Sequence, residues 1–259
     1  MRPEFDIGKE SPYDDYVRFS TALGAIPEPE PGDPPDNVLF QTIHLMTEFA
    51  WYNIHYELGN AADRLDLDDF AASASLVRRA QRWQRAALQA LELLDSELSQ
   101  EQFLQIREQL PAGGSGLDSP GFKNLRPMTN YLWARFEAAS TRAGVDLERM
   151  AQADFGARSS EAGIAAVANE LLELDKELIS WQQFHVRLVW SKLGGHPAGR
   201  RHGSDGHGGS ANARSLTGRP VQVLDGFTRR VSFPRLWALV DAVYDRVNSA
   251  PADDESDLT

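Results

Sequence analysis

Two histidines on long apolar stretches are the strongest candidates for chemistry in this sequence. His44 lies in an amphipathic stretch over residues 37–61, and His185 lies on the apolar stripe of residues 159–193. An imidazole in such a position is more often a satisfied core residue than a ligand. Helical bundles, however, build cofactor sites from inward-facing side chains on different helices. The pair is therefore the first candidate site, with a core role as the alternative.

The residue types around these histidines favour haem over a metal ion held by side chains alone. A zinc site needs three or four ligands, whereas haem needs one proximal imidazole and an apolar slot. The sequence has no His-x-x-x-His or Glu-x-x-His cluster and no cysteine to supply a thiolate. His55 lies 11 residues after His44, about 16 Å along a helix, too far to share a metal. Haem is thus the better metal hypothesis.

Two further features could contact a small anionic molecule. Arg107 interrupts a mostly apolar pattern, so it is either a surface arginine lying over apolar neighbours or a planar fork for a carboxylate. Residues 194–219 are rich in glycine and include three histidines and several arginines. This stretch could be a lid that closes over an anion or a plain linker, and its composition does not decide between them.

Composition limits the classes of partner. The chain has 259 residues, of which 42% are hydrophobic, enough for a substantial core. Its formal charge of −12 argues against nucleic acid, which is bound through a basic face. It contains no apolar run of about 18 residues that would span a membrane, and its first residues lack the apolar region of a secretory signal. We expect a soluble, cytoplasmic protein with a small-molecule or protein partner.

The spacing of apolar residues predicts an all-α class with almost no strand. We divide the chain into an N-terminal arm with a proline-rich connector (1–36), one helical domain (37–250) and an acidic, disordered tail (251–259). The predicted helices cover residues 12–23 (weakly), 37–61, 67–97, a short segment from a capping box at 99–102 to about 110, 121–143, 159–193 and about 233–248.

Six blocks of sequence then occur in a familiar order. They are Tyr13-Asp-Asp-Tyr16, Leu39-Phe40-x-x-x-His44-x-x-x-Glu48, Phe103-x-x-x-Arg107-x-x-Leu110, Pro120-Gly-Phe122, Trp181-x-x-x-His185-x-x-x-Val189 and Gly206-His-Gly-Gly-Ser210. Together the blocks resemble the tryptophan 2,3-dioxygenase family, which belongs to the histidine-ligated, haem-dependent aromatic oxygenases. The resemblance covers most of residues 10–216. It implies a helical bundle that encloses haem b, with O₂ and an aromatic amino acid as substrates.

The resemblance also implies roles for single residues. His185 would ligate the haem iron, and His44 would lie on the distal side and accept a hydrogen bond from the indole N–H. Arg107 would hold the substrate carboxylate. The other substrate contacts would come from Phe40, Tyr13, Tyr16, Phe103, His207, Gly208 and Ser210, and the other haem contacts from Trp181, Phe122 and Leu188. The family assembles as tetramers, so we expect a homo-oligomer (tetramer or dimer) in which Tyr13 and Tyr16 serve a neighbouring subunit.

Departures from the family pattern leave the reaction open. His207 replaces the threonine of the family's glycine-rich loop, and Lys123-Asn124 replaces its Gln-Ser. We expect dioxygenation of tryptophan or a modified tryptophan at the indole C2–C3 bond, giving an N-formylkynurenine-type product. Monooxygenation of a tryptophan derivative is nearly as well supported, and tyrosine hydroxylation comes third. A non-enzymatic haem carrier or a scaffold is the alternative from another class.

Overall fold

The computed structural model describes residues 12–110, 119–152, 161–198, 221, 226 and 230–249. Over these residues the regular structure is helical without any strand, which confirms the all-α class. The helices are α1 (Pro12–Val17), α2 (Phe19–Leu23), α3 (Asn37–Asp66), α4 (Phe70–Glu97), α5 (Gln100–Gln109), α6 (Pro120–Arg142), α7 (Leu147–Gln152), α8 (Ala162–Leu193) and α9 (Pro234–Ser249). The enclosure of a haem by these helices remains a prediction.

Local capping signals explain several helix ends. At the start of α5 the Ser99 hydroxyl accepts the Gln102 backbone N–H, and the Gln102 side chain accepts the Ser99 N–H, so the predicted capping box is confirmed. Ser119 likewise caps α6 by accepting the N–H of Phe122 at 3.1 Å. These caps satisfy backbone donors that have no partner within the helix.

One helix prediction was wrong, and one short helix was missed. The single weak helix over residues 12–23 is two short helices, because Arg18 between them has a left-handed backbone with φ 63°. Helix α7 was not predicted at all. It is only six residues long, and Asp146 caps it by accepting the N–H groups of Glu148 and Arg149.

Helix α4 packs through a regular seam of buried residues, three of which are small (Ser73, Ala80 and Ala87). Its seam residues follow each other at alternating steps of four and three: Ser73, Val77, Ala80, Gln84, Ala87, Leu91 and Leu94, all buried. This is the heptad spacing of closely aligned helices, and the small side chains let neighbouring backbones approach. The sequence pattern had placed Trp83 in the core. It lies beside the seam and is 39% exposed.

The long helices form one packed group around the histidines. Helix α3 lies against α4 and α6, and α8 packs against α4, α5 and α9. The buried carboxylate of Asp175 on α8 accepts the backbone N–H groups of Ser232 and Phe233 and the indole N–H of Trp237, which attaches α9. None of the helices within the described ranges is both long and apolar enough to cross a membrane.

Candidate functional site

His44 on α3 and His185 on α8 line the same cavity, although they are far apart in the chain. The cavity lies between α3, α4, the start of α6 and α8, has a volume of about 70 Å³ and is partly open to the outside. Its lining residues are Ile43, His44, Thr47, Glu48, Trp51, Leu91, Ser119, Phe122, Trp181 and His185. The structure thus brings together the two histidines that the sequence singled out.

The His44 imidazole is held in one tautomer. Its Nδ1 lies 2.6 Å from the backbone carbonyl oxygen of Phe40, one turn earlier on α3. A carbonyl can only accept, so Nδ1 carries the proton. Desolvation lowers the pKa of His44, opposed by the hydrogen bond to Phe40 and by the charge of Glu48. The ring is therefore neutral near pH 7, and its Nε2 lone pair can accept a hydrogen bond.

The His185 imidazole is also neutral but has a different environment. Burial, and secondarily the nearby His44, lowers its pKa to about 4. Its ring stacks on the indole of Trp181, with centroids 5.1 Å apart and planes 11° apart. Within the described ranges no residue makes a hydrogen bond to its ring nitrogens. A neutral imidazole with an available lone pair is the form of histidine that binds a metal.

Aromatic rings make the walls of the cavity beside His185. Trp51 and Trp181 meet edge to face with centroids 4.9 Å apart, and Phe122 lies 5.8 Å from Trp51 and 6.3 Å from Trp181. The indole N–H groups of Trp51 and Trp181 are buried and have no hydrogen-bond partner among the described residues. The walls therefore offer flat apolar surfaces together with two donors that protein groups leave unused.

Glu48, one turn after His44, does not bond to that histidine. Its Oε2 accepts the backbone N–H of Gly121 at 2.9 Å, in the first turn of α6. A carboxylate at this end of a helix is favoured by the unpaired N–H groups and by the helix dipole. The structure uses Glu48 to join α3 to α6.

A second aromatic group adjoins the His44 end. The ring of Phe40 lies 4.1 Å from the His44 ring and 6.0 Å from Phe103 on α5, measured between centroids. Phe40 and Phe103 are both buried. Arg107 follows Phe103 by one helical turn and is half-buried. It does not line the cavity bounded by the described residues, and its role as a carboxylate clamp remains a prediction.

The remaining predicted site residues are not brought to the cavity by the described part of the chain. Tyr13 and Tyr16 on α1 are 68% and 88% exposed, and Leu188 is packed in the core one turn beyond His185. His207, Gly208 and Ser210 lie outside the described residues, as does most of the 194–219 loop. His55, which the sequence left as a structural or surface residue, is exposed.

Several lining residues were not found from the sequence. Trp51, Thr47 and Ile43 lie on the buried side of α3, where an apolar pattern could equally mean plain core. Leu91 belongs to the α4 seam. Gly121 was noted only as part of a motif, yet a Cβ there would lie 2.6 Å from Trp51 Cβ. A cavity is formed by several elements together, so no single segment carries its signal.

The chemistry of these residues fits haem. Among the described residues there is no group of three or more histidine, aspartate or glutamate side chains that could hold a bare metal ion. A porphyrin needs one neutral imidazole and flat apolar walls, which His185, Trp51, Phe122 and Trp181 supply. The two unpartnered indole N–H groups could donate to its polar edge. The cavity, at about 70 Å³, is smaller than a porphyrin.

Sequence comparison with known proteins finds a distant relative of this chain. The chain is 25% identical over 271 residues to the protein named tryptophan 2,3-dioxygenase from Nocardioides sp. (strain ATCC BAA-499 / JS614). The alignment covers 90% of this chain and 94% of that protein. No family model matches the chain. The similarity thus runs over nearly the full length of both proteins, at a distant level of identity.

Proposed function

We propose that this protein is a haem-dependent oxygenase that acts with O₂ on the indole ring of L-tryptophan or a modified tryptophan. The observation that carries the proposal is the shared cavity of His44 and His185, two neutral imidazoles on different helices between aromatic walls. The distant relative named tryptophan 2,3-dioxygenase supports the same reaction class. Dioxygenation at C2–C3 is the form of the reaction that we favour.

In this proposal His185 is the residue that holds the haem iron. Its neutral ring has an unused lone pair, and its stack on Trp181 fixes the plane in which that lone pair lies. Trp51, Phe122 and Trp181 would supply apolar contacts to the bound haem. When bound, haem supplies an iron centre that activates O₂, a chemistry that side chains alone do not provide.

His44 orients the substrate in this proposal. Because its Nδ1–H donates to the Phe40 carbonyl, its Nε2 can only accept, which suits the indole N–H of tryptophan. Phe40, whose ring lies tilted against that of His44 and near Phe103, would contact the aromatic ring. Arg107 on the same α5 surface as Phe103 would hold the carboxylate through a bidentate contact. His207, Gly208 and Ser210 would close over the amino-acid end, and Tyr13 and Tyr16 would contribute from a neighbouring subunit.

Turnover under isotopically labelled O₂ tests this function. The haem-reconstituted, full-length protein is mixed with L-tryptophan and a reductant, and the product mass is measured. Two labelled oxygen atoms in a ring-opened product support dioxygenation. One labelled atom in an intact indole, or in hydroxylated tyrosine when tyrosine is supplied, assigns monooxygenation instead. Haem binding with no turnover of tryptophan, a modified tryptophan or tyrosine assigns the non-enzymatic carrier.

The monooxygenase alternative has one feature in its favour. His207 stands where the family's loop has a threonine that contacts the amino-acid part of tryptophan. A change at that position alters how the polar end of a substrate is held. A modified tryptophan is therefore included among the substrates tested, beside unmodified tryptophan and tyrosine.

A further inference from the structure

Glu48 connects the helix that carries His44 to the helix that begins beside the cavity. Its Oε2 accepts the N–H of Gly121 at 2.9 Å, and Glu48 itself lines the cavity. Ser119 caps the same turn by accepting the N–H of Phe122. Two successive backbone N–H groups in the first turn of α6 are thus hydrogen-bonded. The Gly121 N–H donates to the Glu48 carboxylate from α3, and the Phe122 N–H donates to the Ser119 cap.

The contact requires a glycine at position 121. A Cβ built there would lie 2.6 Å from Trp51 Cβ, 2.9 Å from Trp51 Cε3 and 3.0 Å from Glu48 Oε2. Distances below about 3 Å are overlaps that side chains cannot occupy, so the α6 backbone lies directly against α3. The Cβ of Trp51 is close to its own backbone and cannot turn away. The first turn of α6 therefore has little freedom to move toward α3.

Phe122 follows immediately and depends on this placement. Its ring lies 5.8 Å from Trp51 and 6.3 Å from Trp181, and Trp181 stacks on His185. A shift of the first turn of α6 would move the Phe122 ring away from both indoles. The carboxylate of Glu48 thus acts on the cavity through Gly121 and Phe122.

We infer that Glu48 is a positioning residue, whose carboxylate holds the first turn of α6 against α3 so that Phe122 completes the aromatic wall of the cavity. The role of that wall in haem binding rests on the proposed function, whereas the Glu48–Gly121 contact does not. Glu48 needs no contact with the substrate for this role. Its effect is to keep the cavity shaped for a flat aromatic molecule.

The test compares Glu48→Gln with Glu48→Leu. Glutamine keeps an oxygen that accepts the Gly121 N–H, whereas leucine is of similar size and accepts nothing. The first readout is the near-ultraviolet circular dichroism of the haem-free protein, which reports the packing of its aromatic side chains, Trp51 and Trp181 among them. We expect Glu48→Leu to change this spectrum and Glu48→Gln to restore it. Glu92→Leu, an exposed carboxylate on α4, is the matched control and should leave the spectrum unchanged.

The second readout is the affinity of the protein for haem, which Trp51, Phe122 and Trp181 are proposed to contact. Glu48→Leu should weaken haem binding by about tenfold, the effect of losing a hydrogen bond to a charged acceptor. Glu48→Gln should recover most of that loss. Equal affinity in the leucine variant and the wild type would overturn the positioning role, as would a glutamine variant as weak as the leucine variant.

Gly121→Ala provides a second route if the leucine variant does not fold. It leaves the Glu48 carboxylate in place but forces the α6 turn away from Trp51, so it should produce the same spectral change. An unchanged near-ultraviolet dichroism spectrum would refute the close contact between the α6 backbone and Trp51. Absence of haem binding would defeat the proposed function alone, because the dichroism of the haem-free variants is read without haem.

Discussion

The imidazole of His185 stacks on the indole of Trp181, one helical turn earlier on α8, with ring planes only 11° apart. Because the two ring planes are nearly parallel, the nitrogen lone pair of His185, which lies in the plane of its own ring, does not point at the indole face. The stack therefore restrains the imidazole while leaving its lone pair unused. A partly exposed, neutral imidazole that makes no hydrogen bond within the described ranges suits a ligand.

Burial of His185 predicts a pH-dependent stability of the haem-free protein. Its folded-state pKa of about 4 lies below the ordinary value of 6.5. Between these values the unfolded chain binds a proton that the folded chain does not. The free energy of unfolding should therefore fall as the pH decreases from about 6.5 to 4, by up to about 3 kcal/mol from this residue. Urea unfolding at several pH values measures the slope.

The matched variants are His185→Leu and His55→Leu. The first removes the titrating group, so its stability should decline less steeply over this pH range. His44, whose pKa is also lowered, contributes in the same direction and leaves part of the slope in place. His55→Leu removes an exposed histidine outside the cavity and controls for the loss of a histidine side chain as such. Identical slopes in the His185→Leu protein and the wild type would refute the burial of a neutral imidazole.

Replacing His44 by alanine should weaken substrate binding without removing haem. The expected loss is about fivefold in tryptophan affinity, from one neutral hydrogen bond. Tryptophan methylated at the indole nitrogen has no N–H to donate and isolates this bond. It should bind the wild type more weakly than tryptophan does, and the difference should disappear in His44→Ala. A difference that persists in the variant would assign the indole N–H another acceptor.

Arg107→Leu should reduce the affinity for tryptophan by roughly tenfold to a hundredfold, since charge-assisted bonds to a carboxylate are among the stronger ones. Tryptamine has the same ring and amine but no carboxylate, so its affinity should not change. Arg82→Leu, at an exposed position on α4, is the control. If tryptophan and tryptamine lose affinity equally, Arg107 supports the fold and does not clamp the carboxylate.

Helix positions were largely predictable from the sequence because their signals are local. The bounds of α3, α4, α6, α8 and α9 lie within a few residues of the predicted ones, and the Ser99 capping box is present as predicted. The break at Arg18 and the short helix α7 were missed. The break depends on the backbone conformation of one residue, and α7 depends on the hydrogen bonds of its Asp146 cap. Neither feature leaves a repeating apolar pattern in the sequence.

The site was predictable only in part. Periodicity placed His44 and His185 on the inner sides of two helices, and their convergence on one cavity agrees with that expectation. The hydrogen-bond partner of Glu48 was not predictable. Gly121 is distant in the chain, and a backbone N–H is present in every residue except proline, so the sequence does not single it out. Trp83 was assigned to the core from its spacing, yet it lies beside the α4 seam, which follows a heptad spacing from Ser73 to Leu94.

The absorption spectrum of the protein titrated with haem tests the central claim most directly. The account predicts a Soret band that saturates at one haem per chain in the wild type and in His55→Ala, and a band that is lost or strongly weakened in His185→Ala. The dichroism of the haem-free variants verifies that all three are folded. A Soret band of normal intensity in His185→Ala, or none in the wild type, would contradict the assignment of His185 as the haem ligand.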